Sequence, residues 1–445
     1  MMVFAAKLID SVPGVLGLLM KRRKNTGAIF RLVCVVLAAI VVGPSFGQSS
    51  AILAGSIVDP ATGLLVKDQT ILIENGKISA IGKGLSIPKG VNVVDLTKDT
   101  VLPGYIDAHT HLCAIVDAKW DLGDFWIMAM QRRVGYRALV GAANAKQMLD
   151  AGFTTVRDVG NSGDYLDVDL KKAISEGLIP GPNIVPAGRI IAPYGGQFWD
   201  TPAQPETLNN PEYLFADSHD ELQKAIRQNL HWGSELIKIV IDGQRYQYSA
   251  DDIKFIVTEA HAAGVKVAAH ATTEKAARAA IEGGVDSIEH GWKLTDEDMA
   301  QMKAKGIVLV STDFTVPGLI SNGFEPDAAK RTHERYVERL RRAYAAGVVV
   351  VFGTDIMSIV PGQTRGQSAL DYIDSFTEAG VGGSAIIRAM TSDAARLLGV
   401  DKERGTLRVG LAADIVAISG DPIKDPSSLK NVVFVMKEGK TYKMP

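Results

Sequence analysis

Cysteine is nearly absent from this chain: 445 residues carry two, Cys34 and Cys113. Cys34 lies in a segment that reads as an export signal. Cys113 alone would then remain, and no disulfide framework can form within one chain. Neither sign of charge dominates, because 48 basic and 50 acidic side chains leave a net charge of -2. That balance excludes the basic excess of a nucleic-acid binder and the acidic tail of a disordered interaction arm. What is present is ordinary for a globular protein, 47% hydrophobic and 22% charged. At 445 residues the chain exceeds one compact core unless the fold is a large barrel.

The N-terminus reads as an export signal over residues 1–48. Lys21, Arg22, Arg23, Lys24 and Arg31 precede an apolar run from Leu32 to Val42, and Pro44, Ser45 and Gly47 supply small residues for cleavage. The run is too short for a comfortable membrane span. An uncleaved anchor is the alternative, and the only route by which the chain would meet a membrane. The mature protein is expected in the periplasm or secreted.

Short strands with turn punctuation follow. Ala51–Ile57, Gln69–Glu74, Lys77–Ile81 and Val91–Asp95 read as strands, with Asn75-Gly76 a hairpin turn. Asp414–Ile418, Val432–Lys437 and Lys440–Tyr442 behave alike at the other end, with Glu438-Gly439 as a turn. Between them, eight apolar strands alternate with helices: Thr100–Ala108, Thr154–Asp158, Asn183–Ile190, Leu236–Ile241, Val265–His270, Ser287–His290, Ile307–Thr312 and Val348–Thr354. This order predicts an α/β protein, a (β/α)8 TIM barrel over residues 101–400. A small β-sandwich domain would be formed from the N-terminal segment 49–100 and the C-terminal segment 401–445. A doubly wound open sheet is the alternative, but no Gly-x-Gly-x-x-Gly follows the first barrel strand.

In a parallel barrel the active site sits at the C-terminal strand ends. The first strand ends in His109 and His111, one residue apart and so on one face. The fourth carries Lys238 in an apolar run, where an ammonium needs a buried partner. The fifth ends in His270, the sixth in His290 and the eighth in Asp355. Together these are a metal constellation. Asp107 would orient the first histidine or hydrogen-bond the loop. Alternation points Glu289 away from His290 and the site. Arg157-Asp158 reads as a salt bridge at the barrel mouth, with a substrate contact as the alternative. His219, His231, His261 and His333 receive no catalytic role.

These motifs are similar to those of the amidohydrolase superfamily, and the resemblance covers nearly everything after the signal. In its two-metal members the strand-four lysine carries a CO2-derived carbamate. The resemblance implies that His109, His111 and Asp355 would bind the more buried metal. His270 and His290 would bind the other, and carboxylated Lys238 would bridge both. Zinc is the expected divalent ion. A hydroxide held between the ions would be the nucleophile, with Asp355 passing its proton to the leaving amine. The implied reaction is hydrolysis of an amide, peptide or related bond.

Within the superfamily the chain resembles the imidazolonepropionase-like group, which includes Xaa-Pro dipeptidases. Leu102-Pro103-Gly104-Tyr105-Ile106-Asp107-Ala108-His109-Thr110-His111 and Ile288-Glu289-His290-Gly291 carry that resemblance. A dipeptide or N-acyl amino acid is the expected substrate, with Arg245, Tyr246 and Tyr248 after strand four as candidate carboxylate contacts and Arg365 after strand eight as another. Many relatives have Gly-Gly-His after strand three, where this chain has Gly195-Gly196-Gln197. Gln197 donates a hydrogen bond but carries no charge. Tyr194, Phe198, Trp199, Trp120 and Trp126 suggest aromatic walls around a bulky N-acyl group. Hydrolysis of a cyclic amide, imidazolone or lactone with the same metals is the second enzyme reading, and a non-catalytic barrel scaffold a third. A homo-oligomer is expected.

Overall fold

A computed structural model describes residues 49–59, 62–117, 119–197 and 211–445. The expected signal segment, Phe198 and Trp199 lie outside the described residues. The N-terminal strands are β1 (Ser50–Asp59), β2 (Leu64–Glu74), β3 (Lys77–Gly82) and β4 (Asn92–Pro103). The parallel strands follow: β5 (Tyr105–Thr110), β6 (Phe153–Asp158), β7 (Asn183–Pro186), β8 (Ile190–Ala192), β9 (Tyr213–Phe215), β10 (Leu236–Val240), β11 (Lys266–Ala271), β12 (Ser287–His290), β13 (Val308–Ser311) and β14 (Val350–Phe352). The chain ends in β15 (Ile415–Ile418), β16 (Val432–Lys437) and β17 (Lys440–Lys443).

The two ends of the chain do share one small β-structure, in the order β17-β16-β15-β4-β1-β2-β3. Pairing runs through all seven strands as a single mixed sheet, where the sequence suggested a sandwich. Ile52, Ile71, Leu96, Val101, Ile415 and Phe434 are buried in its core. Asn75 and Gly76 both take positive φ, 53° and 76°, as the two-residue hairpin between β2 and β3 requires.

The central strands pair in parallel, β5-β6-β7 in one sheet and β14-β13-β12-β11-β10-β8-β9 in another. The expected third strand is therefore split. Its first half pairs with β6 and its second with β10, with Gly188 at φ 69° between them. The Glu235 amide donates to the Pro186 carbonyl at 2.8 Å and carries the pairing across the break. At the far side β14 meets β5 through the amides of Thr354 and Asp355, which donate to the His109 carbonyl at 3.3 and 2.9 Å. No ladder closes β14 onto β5 among the described residues. The result is an α/β fold consistent with the eight-stranded barrel pattern.

Two buried charged groups tie the strand ends together. Asp107 accepts from the His109 amide at 3.0 Å, and from the Thr354 amide and hydroxyl at 3.1 and 2.7 Å. It fixes backbone, and burial pushes its carboxyl up to about 7. Arg365 does not line the mouth as expected. It is buried and donates to the carbonyls of His111 at 3.0 Å, Ala114 at 3.1 Å and Ile356. Its charge is spent on loops that follow β5 and β14. Arg365→Met keeps the volume but leaves those carbonyls unpaired, so urea unfolding should register a loss of at least about 2 kcal/mol. An unchanged midpoint would show that the guanidinium does not hold these loops.

Candidate metal centre

The His109 and His111 rings lie 5.2 Å apart at the end of β5. His111 Nδ1 donates to the Gly160 carbonyl at 2.7 Å, which leaves Nε2 with its lone pair 3.1 Å from Asp355 Oδ1. His109 Nδ1 meets Glu289 Oε2 at 2.7 Å, and its Nε2 stands 3.5 Å from the same Asp355 oxygen. Ligand atoms of His109, His111 and Asp355 all lie within 4.8 Å of one another. Two imidazole nitrogens and a carboxylate oxygen, each imidazole backed by an acceptor, suit a divalent metal.

His290 and His270 extend the cluster. Their rings are 4.5 Å apart, and His290 lies 5.0 Å from His109. His290 Nδ1 is 2.8 Å from the Thr312 hydroxyl and 3.7 Å from Asp355 Oδ2. His270 Nε2 lies 3.4 Å from buried Asp242. Burial lowers the His270 pKa to about 4 and pushes that of His290 well down. Both rings are thus neutral at pH 7, the form that binds metal. Burial alone would raise the Asp355 carboxyl, but His109, His111 and His290 outweigh it and hold it well below the usual range. Lys238, buried on β10, is lowered to about 8 by its burial, with Glu289 and Asp355 opposing. A substantial fraction is therefore neutral amine near pH 8.

Backbone geometry aims two of these groups. His290 and Asp355 both have positive φ, 70° and 55°, at the ends of their strands. Such strain in non-glycine residues concentrates at functional sites. At His290 it also overturns the alternation argument. Glu289 was expected to face away from the site, yet it binds His109. The left-handed turn at His290 breaks the strand's alternation, so both side chains reach the centre.

Beneath the histidines, Arg157 crosses the interior. It donates to both Glu289 oxygens at 2.7 and 2.8 Å, to Ser287 Oγ at 3.2 Å and to the Ala108 carbonyl at 2.5 Å. The salt bridge expected at the mouth is thus an internal one, and its partner is Glu289. Asp158 instead accepts from the Leu112 amide and Ser162 hydroxyl, both at 2.7 Å. Sequence reasoning also passed over Thr312 and Asp242. The available signal was complementary: an arginine and a glutamate, each within a predicted core strand, need one another.

Above the centre stands Gln197. Its amide nitrogen is 3.2 Å from His270 Nε2, and Tyr213 donates to its Oε1 at 2.9 Å. An aromatic series runs outward from there. Trp126 lies 5.9 Å from Tyr213, Tyr213 5.7 Å from Phe215, and Phe215 5.6 Å from Tyr194. Trp126 and Tyr194 were anticipated, while Tyr213 and Phe215 were not. Trp120 is 65% exposed. Of the candidate carboxylate contacts, Arg245 and Tyr246 are exposed. Tyr248 is buried, its hydroxyl donating to the Ala216 carbonyl at 2.8 Å, so its phenol serves the backbone.

The Amidohydrolase family pattern matches residues 100–442. Ochratoxinase from Aspergillus niger is 27% identical over 448 aligned positions, covering 91% of this chain and 89% of that protein. A solved Xaa-Pro dipeptidase with methionine bound in its active site is 29% identical, with a TM-score of 0.77, covering 89% of this chain and 100% of the other. A prolidase solved with N-methylphosphonate-L-proline is 25% identical, with a TM-score of 0.76 and coverage of 89% and 100%. This chain belongs to the amidohydrolase family and is a hydrolase acting on carbon–nitrogen bonds.

Proposed function

We propose that the protein is a two-metal amidohydrolase of N-acyl amino acids or dipeptides, built on a (β/α)8 barrel. The observation that carries this reading is the convergence of four histidines, Asp355 and a buried lysine of lowered pKa on one cluster. His109, His111 and Asp355 would hold one ion, and His270 and His290 the other. Lys238 as its carbamate would serve both, because a neutral amine adds CO2 with loss of one proton and the product shares one negative charge over two oxygens. Zinc suits this donor set. When bound, the ions supply Lewis acidity toward the carbonyl and make hydroxide available near neutral pH.

The chain's own groups do the rest. Asp355 Oδ2, the oxygen turned from His109 and His111, accepts a proton and returns it to the leaving nitrogen. Gln197 donates to the substrate, and the Trp126–Tyr213–Phe215–Tyr194 wall takes a bulky acyl group. Arg245 and Tyr246, both exposed in the loop after β10, would bind a carboxylate. The names of the similar proteins, ochratoxinase and prolidase, fit a substrate of this class. The N-terminal segment supports an exported enzyme, in the periplasm or secreted.

Four outcomes are expected. Chelation should abolish hydrolysis, and zinc with bicarbonate should restore it; activity that survives exhaustive chelation would refute the metal reading. Lys238→Ala should lower both metal content and rate, the latter by about 100-fold or more. Near-normal turnover by that variant would remove the lysine from the mechanism. Glu289→Gln should weaken metal affinity about 10- to 100-fold, read by competition with a chromogenic chelator. In a panel of N-acyl amino acids, dipeptides, cyclic amides and lactones, the first two classes should be turned over fastest. Preference for a lactone or ring amide would displace this substrate assignment.

A further inference from the structure

We infer that Tyr213 is a positioning residue that fixes which end of the Gln197 amide faces the metal centre, making Gln197 a neutral hydrogen-bond donor to an uncharged substrate carbonyl. The substrate half of this inference rests on the hydrolase reading above.

The two ends of a glutamine amide are chemically opposite: the oxygen accepts and the nitrogen donates. Tyr213 takes the oxygen, its hydroxyl donating to Oε1 at 2.9 Å. The nitrogen is left against the His270 ring, 3.2 and 3.5 Å from its two nitrogens. Burial pushes the Tyr213 phenol well up, so it remains a protonated donor at any working pH. The opposite orientation would turn a carbonyl oxygen toward the candidate ions. Gln197 would then compete as a ligand and have no donor left for substrate.

Tyr213 is well placed to impose the choice. It is fully buried, and its ring is packed between Trp126 and Phe215. The preceding Glu212 is locked in a buried ion pair with Arg137. From the other side Gln197 lies against Gly243, which has φ 114°. A Cβ there would stand only 3.1 Å from Gln197 Cγ, so the bare glycine makes room for the side chain. A rigid partner on one side and a close backbone on the other leave the amide little freedom.

The consequence lies in substrate chemistry. A neutral N–H beside the centre matches the scissile carbonyl oxygen, which N-acyl amino acids and dipeptides share. It carries no charge, so it adds no recognition of a free terminus.

A double-mutant cycle tests the coupling, using kcat/KM for an N-benzoyl amino acid. Tyr213→Phe and Gln197→Met should each lower it about 10-fold. Their combination should cost no more than Gln197→Met alone, because an unbound orienter has nothing to orient. Independent, multiplying losses would overturn the inference and leave Tyr213 a packing residue. The crystal structure of Tyr213→Phe gives a second readout that needs no turnover. The Gln197 amide should flip end for end or leave its place beside His270, and an amide that stays there with its nitrogen still toward His270, as assigned from its hydrogen-bond partners, would overturn the inference. If the unsubstituted protein hydrolyses no amide, the hydrolase reading fails by itself, and that crystal structure still decides whether Tyr213 orients Gln197.

Discussion

The hydrogen bond from His109 to Glu289, with Arg157 behind it, is the contact on which the rest of the site depends. Barrel interiors are ordinarily filled by branched aliphatic layers. Here β6 and β12 instead bury a guanidinium and a carboxylate between them. Burying these charges is tolerable only because they pair at 2.7 Å and because every free lone pair finds a donor. Removing one partner from such a pair costs about 3–5 kcal/mol. That penalty locks Glu289 in place, and Glu289 in turn locks the His109 ring. Arg157 thus acts on the centre without touching it.

A second constraint is the backbone at the strand ends. His290 and Asp355 take left-handed conformations that β-strands do not offer. Asp107 stabilises the turn at Asp355 by binding Thr354, the residue before it, while also holding the His109 amide. One buried carboxylate therefore sets the spacing between β5 and β14. The strain at these residues is compensated by hydrogen bonds at their neighbours, and it brings side chains from β5, β12 and β14 to a common point.

Much of this was legible in the sequence. Eight apolar segments separated by helical periodicity gave the strand order, and His-x-His with strand-end residues gave the cluster. Legibility failed where geometry departs from ideal periods. The third strand breaks at Gly188, where Pro186-Ala187-Gly188-Arg189 carries a breaker signal that apolar patterning alone passes over. Glu289 was assigned to the wrong face because alternation assumes extended backbone through His290. Arg365 was read as a mouth residue from its place in a loop, although its partners are carbonyls of segments remote in sequence. Tyr213 was invisible for the same reason, since its meaning depends on Gln197 and on the centre below it.

The central claim is that the two histidine pairs, Asp355 and a carboxylated Lys238 form one two-ion site. Anomalous X-ray diffraction at the zinc edge, on crystals prepared with zinc and bicarbonate, tests it most directly. Two peaks are predicted, one beside His109, His111 and Asp355 and one beside His270 and His290, with density continuing past Lys238 Nζ toward both. A single peak with an unmodified lysine, or no peak at these residues, would contradict it.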